Sequence, residues 1–490
     1  MYAISRSGWR ARAAIAVSVA LLLTLTTTAL TFAAGGNPTL LRLSKDPYTN
    51  KSSQHKTQVE PDTLSYGSTI VMAVQSGRFF GGGASNIGWV TSTNNGKSWK
   101  HGFLPATTVY ATPPGSFAAV SDPAVAYDAK HGVWLIAYLG ITNGNAVDIE
   151  VSRSTDGGFT WGNPVAVDNS GPFFDKDWIV CDDTSSSPSY GNCYTEFDNV
   201  DAGDQEMMST STDGGNTWGA PVSPSGTPHG LGGQPLVQPG GTVIVPFQDE
   251  DNNSISAFNS TNGGKSWSAP VTVATLQTYI EMADIRTSPL PSAEIDGSGT
   301  VYVAWQDCRF EKNCSANDIV YSTSSDGTHW SSVQRVPTDP VGSGVDHFIP
   351  GIAVDKATSG SSAHIALTYY YFTNASCNDS TCQLDIGYIS STNGGASWST
   401  SQQLAGPMML AWLANTNQGR MVGDYISTSI SSKGIAFPGI VVAKPNKGTK
   451  FNEELYTVKG GLPVTGGTNV SHASVVYTGP SHVFVHPTAY

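Results

Sequence analysis

The 490-residue sequence carries 25 Lys+Arg against 38 Asp+Glu, a formal net charge of −13, which excludes a protein that grips nucleic acid by bulk positive charge. Only 13% of its residues are charged, while Gly (53), Pro (28) and aromatic residues (12 Trp, 17 Phe, 19 Tyr) are abundant. This is too aromatic for a disordered chain and too rich in turn formers for a helical one, and it suits many short strands joined by tight turns.

In chain order, Arg6, Arg10 and Arg12 precede an apolar run from Ala13 to Leu25 that leads to small residues at Ala33 and Ala34. The pattern reads as a signal peptide over 1–34, with an uncleaved membrane anchor over Ala13 to Ala34 as the alternative. Both place the body of the protein outside the cytoplasm, secreted or at the cell surface. Residues 35–56 read as a polar lead-in, 57–460 as the main β body, and 461–490 as a tail able to contribute a closing strand. The six cysteines fall into three local pairs, Cys181 with Cys193, Cys308 with Cys314, and Cys377 with Cys382. Spacing this short suits disulfides that pin single hairpins or loops in an oxidising compartment. No pair has Cys-x-x-Cys spacing and none has a His placed to complete a zinc site, so disulfides are favoured over zinc; no metal ligand and no cofactor is assigned from the sequence.

A short box ending in Trp recurs six times along the body. It opens with Ser92, Ser154, Ser211, Ser260, Ser324 and Ser391, and closes with Trp99, Trp161, Trp218, Trp267, Trp330 and Trp398. Between the two stand an Asp or Asn, whose side chain can bond the N–H groups of its own turn, and a Gly that supplies positive φ. The box is a hairpin staple. Successive Trp residues lie 49 to 68 positions apart, room for four short strands, and a further unit without a box runs from Gly423 to about Thr457. Four-stranded units stacked so that each buries its neighbour's face describe an all-β propeller of seven, alternatively six, blades.

On these boxes the chain resembles the Asp-box (BNR-repeat) proteins, whose best-known members are the sialidases. The resemblance implies a sialidase-like β-propeller with the boxes on one face and a ligand site on the other, where the first strands begin. It also implies a secreted sialidase-like glycoside hydrolase acting on a glycan, with a Tyr nucleophile entering the last blade. Tyr425 matches that position, with Asp424 beside it. Glu281 is then the group expected to take the Tyr425 proton, Asp122 is a candidate acid, and Arg286, Arg309 and Arg420 are candidate sugar-binding cations. Asp62, Asp177 and His347, at other first-strand entries, complete the expected binding set. The family's Arg-Ile-Pro entry is missing: the matching positions read Glu60-Pro61-Asp62 and Ser121-Asp122-Pro123. Two alternatives therefore stand beside the hydrolase, a non-catalytic propeller that binds glycan or protein at the cell surface, and another carbohydrate-active enzyme such as a neutral-sugar hydrolase or polysaccharide lyase.

Overall fold

A computed structural model describes residues 37–281 and 283–470. The segment read as a signal peptide, 1–34, and residues 471–490 of the tail lie outside them. The described chain is all-β, and its helical elements are single turns of 3-10 helix. No helix among the described residues is long and apolar enough to cross a membrane.

Apart from a two-stranded hairpin, Ala414–Thr416 with Gly419–Met421, the described strands group along the chain into seven consecutive antiparallel units, called here sheets 1 to 7. Sheet 1 runs through Gln58–Tyr66, Thr69–Arg78, Ala84–Ser92 and Lys100–Phe103, and sheet 2 through Ala119–Asp128, Val133–Thr142, Asn145–Ser154 and Val165–Asp168; a single pair, Ala84 with Val120, joins the two. Sheet 3 comprises Phe174–Cys181, Cys193–Asn199 and Gln205–Ser211. Sheet 4 has a first strand broken into Gly230–Leu231 and Leu236–Val237, followed by Val243–Asp249, Ser254–Ser260 and Val271–Thr275. Sheets 5 and 6 begin with Ser292–Ile295 and Asp346–Val354 and have four strands each. Sheet 7 takes three strands from the end of the chain, Ser427–Ile430, Ile435–Ala443 and Glu453–Val458, and its outermost strand, Leu40–Arg42, from the beginning. The segment read as a polar lead-in thus supplies a strand of the last sheet. From the tail, Leu462–Pro463 pairs with Ile435 and Ala436.

Many of these strands are near-continuous buried runs, as in Val133–Thr142 and Val301–Asp307, and each sheet buries both faces against its two neighbours. Ile70, Met72, Val74 and Val90 of sheet 1 share a core with Phe437 and Leu455 of sheet 7. The other face of sheet 1 (Val71, Ala73) packs with Val125, Trp134 and Ile136 of sheet 2. Comparable layers lie between sheets 2 and 3, 3 and 4, 4 and 5, 5 and 6, and 6 and 7. Each large side chain in them, such as the fully buried Trp305 and Trp398, contributes roughly 1.5–3 kcal/mol of burial.

The six boxes form the hairpin staples expected of them. In the second, Asp156 accepts from the backbone N–H of Phe159 (2.9 Å) and Thr160 (3.0 Å), while Ser154 accepts from Gly158 N–H at 3.0 Å. Trp161, Trp267 and Trp398 are buried and Trp99, Trp218 and Trp330 half-buried. The box Gly also lets each hairpin lie against the preceding sheet. At Gly96 of sheet 1, with φ 74°, an added Cβ would stand 2.3 Å from the Phe437 ring of sheet 7. Gly96→Ala is therefore expected to destabilise the protein by about 1–3 kcal/mol, since both the backbone region and the packing oppose it. Denaturant unfolding measures this, and an unchanged midpoint would mean that the two ends of the chain are not packed against each other as described.

The three disulfides form as paired in the sequence. Cys181 and Cys193 are directly opposite on neighbouring strands of sheet 3. The other two close loops that follow the second strands of sheets 5 and 6.

Candidate functional site

The first strands carry a recurring irregularity. In sheets 1, 2, 3 and 6 the register slips between Val59 and Asp62, Ser121 and Ala124, Asp175 and Asp177, and Phe348 and Gly351. Each slip contains a non-glycine residue with left-handed backbone: Glu60 (φ 53°), Asp122 (φ 49°), Lys176 (φ 45°) and Ile349 (φ 49°). In three of the four a proline follows, which cannot donate to the ladder and so belongs at a bulge. Such conformations cost about 1–3 kcal/mol each and persist where the surroundings hold them, most often at functional sites.

Three of these bulges deliver charged side chains to one place. Lys176 Nζ lies 2.7 Å from Asp424 Oδ2, 3.2 Å from Asp122 Oδ2 and 3.8 Å from Glu60 Oε1. Arg286 grips Asp424 through Nε at 2.9 Å and through a second, short contact from its terminal nitrogen. Gln75 Nε2 donates to Glu60, to Ser121 Oγ (3.1 Å) and to Asp122 Oδ1 (3.4 Å). The Asp424 backbone N–H donates to Glu60 Oε1 at 3.1 Å, and the Glu60 N–H to the Val422 carbonyl at 3.1 Å, so the entry of sheet 7 is tied to that of sheet 1. Arg78, at the end of the second strand of sheet 1, borders the same cavity of about 90 Å³, lined also by Glu60, Asp122, Lys176, Arg286 and Met421. Gly82 and Gly144, from loops after second strands, rim it. The cavity therefore opens on the face the sequence reading assigned to the ligand.

Glu60, Asp122, Lys176 and Asp424 are 1–5% exposed, so their charges interact in a low dielectric. Burial, followed by the neighbouring Asp122, pushes the Glu60 carboxyl up to about 8. For Asp424 burial acts in the same upward direction, but Arg286 and then Lys176 overcome it and hold the carboxylate well below the usual range. Burial would lower the Lys176 ammonium, and Asp122, Asp424 and Glu60 instead raise it well above its ordinary value.

Of the residues expected from the sequence, Asp122, Asp424 and Arg286 meet in this cluster. Tyr425 touches it by its ring, whose centroid is 6.0 Å from Lys176 Nζ, and packs edge-on to Trp178. Its hydroxyl turns away and donates to the Pro123 carbonyl at 3.1 Å. Burial, then Glu60 and Asp122, raise the phenol well above its ordinary value, the opposite of an activated nucleophile. The expected pairing with Glu281 is not made, because Glu281 accepts from Thr287 and from Asn317 (3.3 Å) beside sheet 5. Arg309 pairs with Asp307 (2.7 Å) and the Thr275 carbonyl (2.6 Å), and the Arg420 side chain donates to the Leu413 carbonyl (3.1 Å), so the three arginines do not converge. Arg420 contributes through its backbone, accepting from Arg286 N–H at 2.8 Å. His347 is buried beside Tyr369 and Tyr371, and burial depresses its imidazole to about 4. Asp62 accepts from Val125 N–H at 2.6 Å and lines a separate cavity of about 290 Å³ with Trp178 and Glu294. Asp177 is buried with neither carboxylate oxygen hydrogen-bonded. The reading of the sequence missed Lys176, Arg78 and Gln75, and left Glu60 as an entry residue without a role.

Residues 105–287 match the BNR repeat-like domain family. No curated protein matches the sequence. Among solved structures, a protein of unknown function from Dyadobacter fermentans is 15% identical with a TM-score of 0.46, covering 72% of this chain and 98% of its own. A polysaccharide lyase described as an ulvan lyase is 12% identical with a TM-score of 0.48, over 87% and 97%. The Trypanosoma rangeli sialidase is 13% identical with a TM-score of 0.42, over 69% and 58%. Identities this low say nothing about chemistry. The stapled turns observed in six of the sheets agree with the BNR repeat-like match over 105–287 and carry the same turn to either side of it, at Ser92–Trp99, Ser324–Trp330 and Ser391–Trp398.

Proposed function

We propose that the seven sheets close into a seven-bladed β-propeller, and that its entry face is the active site of an extracytoplasmic carbohydrate-active enzyme, a glycoside hydrolase in which Glu60 is the proton donor. Closure is supported by the apolar layer shared by sheets 7 and 1, by the tie between Asp424 and Glu60, and by the N-terminal strand at the edge of sheet 7. The observation that carries the chemistry is the divergence of two carboxyl groups within one cluster, Glu60 pushed up to about 8 and Asp424 held well below its ordinary range. Such divergence separates acid from base. Glycoside hydrolysis needs a protonated carboxyl for the departing oxygen and a carboxylate opposite it. Asp122, whose Oδ2 has no hydrogen-bond donor and only the Lys176 ammonium near it, is the carboxylate placed for the second role. With Glu60 protonated, two ion-paired carboxylates face Lys176, Arg286 and Arg78, a balance that accepts an acidic sugar. Tyr425, bonded to Pro123 and lacking a base, fits this scheme as a wall and not as a nucleophile, so a two-carboxylate mechanism is favoured over the tyrosine route of sialidases.

The near-complete burial of Glu60, Asp122, Asp424 and Lys176 favours a second reading, a glycan-binding propeller whose ionic cluster only fixes the mouth. One set of assays separates them: purified protein is offered a fluorogenic sialoside, a panel of neutral glycosides and a uronate-containing polysaccharide. Turnover of at least one glycoside, lost in Asp122→Asn at unchanged melting temperature, is the expected result. Glycan binding without turnover would replace the hydrolase by the binding reading, and unsaturated uronate products would replace it by a lyase.

A further inference from the structure

Sheet 3 contains a second group of carboxylates with no counterpart to the cations of the first. Asp198 and Glu206 stand directly opposite each other on adjacent strands, Asp175 stands opposite Asp198 on its other side, and Glu196 lies two residues along on the same face. One oxygen from each of Glu196, Asp198 and Glu206 lies within 4.8 Å of the other two, and the three side chains are fully buried. Like charges directly opposite in a sheet repel, and burial removes the water that would screen them. Yet all six carboxylate oxygens of the three residues lack a hydrogen-bond partner. Buried polar groups are almost always partnered, and an exception calls for an ion or a shared proton. The face points toward sheet 4, where the chain offers Gly233: a Cβ there would stand 2.6 Å from the Glu196 carboxyl carbon, so the missing side chain is what admits the Glu196 carboxyl to the cluster.

We propose that Glu196, Asp198 and Glu206 bind a divalent cation, with calcium the best match. The donors are oxygen only, which excludes the nitrogen and sulfur sets preferred by zinc. Six free carboxylate oxygens in an enclosed site suit an ion that takes 6–8 oxygen ligands and tolerates bidentate carboxylates; magnesium holds its waters and demands a near-octahedral shell. The ion would lock the second and third strands of sheet 3 at the end that opens on the candidate site, independently of whether that site is catalytic.

The test uses the full mature chain stripped with a chelator. Calcium chloride is expected to restore one bound ion per chain by calorimetry and to raise the melting temperature by about 3 °C at roughly a hundredfold excess over Kd, with magnesium chloride giving a smaller shift. Trp178 lies opposite Glu196 in the register, so terbium bound in its place should show indole-sensitised luminescence that calcium displaces. Glu206→Gln should abolish both signals, and Gly233→Ala, which keeps every carboxylate, should weaken binding at least tenfold. Wild-type protein that binds no calcium and melts at the same temperature with and without it would overturn the site in favour of a shared proton, whatever the variants do. A calcium response retained in Glu206→Gln would place the ion elsewhere and overturn it equally.

Discussion

Lys176→Met is expected to lower the stability of the protein by about 3–5 kcal/mol, because it removes the common cation of three buried carboxyl groups and leaves them facing one another. The effect is not that of one surface ion pair, which would be worth about 0–1 kcal/mol. Lys176 is 5% exposed and Asp424 4%, so neither can turn to water without opening the mouth. Arg286 would remain on Asp424, but Asp122 has no hydrogen-bond donor at Oδ2 once the ammonium is gone. Adding Asp122→Asn to the Lys176→Met variant should recover part of the loss, since it removes the charge left without a cation; the non-additivity measures the coupling. Denaturant unfolding at neutral pH with an unchanged m-value reads both quantities. A loss below about 1 kcal/mol would mean that the cluster is hydrated, and the charge argument for Glu60 would fall with it.

The parts of this architecture that the sequence declared are those built from local chemistry. The boxes are legible because an Asp or Asn, a Gly and a Trp at fixed offsets make their contacts within one turn, as Asp156 does with Phe159 and Thr160. The cysteine pairs are legible for the same reason. Leu40–Arg42 was not, because three residues carry no alternation and the strand exists only through its pairing with Tyr456 to Val458, more than 400 positions away. The site was half legible. Alternation selects Asp175 and Asp177 as the residues of that strand to watch, but the bulge inserts Lys176 between them and aims it at Asp424. A charged residue followed by Pro at a strand entry, as in Glu60-Pro61 and Asp122-Pro123, is the signal that marks these bulges, and Lys176 lacks it. Glu281 was assigned by analogy with a distant family, and the segment that brings Arg286 to the mouth holds it instead against Thr287 and Asn317. The carboxylate group of sheet 3 is invisible as a site in the sequence because only the strand register sets Glu206 against Asp198, eight positions earlier.

Glu60→Gln is the substitution on which the proposed chemistry turns, and it makes two separate expectations. Glu60 faces Asp122, Lys176, Asp424, Arg286 and Arg78, with the Tyr425 ring beside them, and burial with Asp122 keeps it protonated up to about pH 8. As the acid of a glycoside hydrolase it would work below that value and fail above it, so kcat/KM should fall as pH rises through about 8, and the amide, which has no proton to give, should cost about 10²–10⁴ in rate. The second expectation needs no substrate. A carboxyl whose folded value is raised from about 4.5 to about 8 holds its proton in the native state while the unfolded chain releases it, so stability falls as pH rises through that window. Other buried carboxyls, Asp62 among them, add to the same slope, but the difference between wild type and Glu60→Gln isolates this one. The variant should therefore gain stability relative to wild type between pH 5 and 8, by an amount that grows with pH, and keep the same stability below pH 4. Equal slopes in the two proteins would show that Glu60 ionises normally, and the assignment of acid and base within the cluster would have to be abandoned even if the variant were inactive.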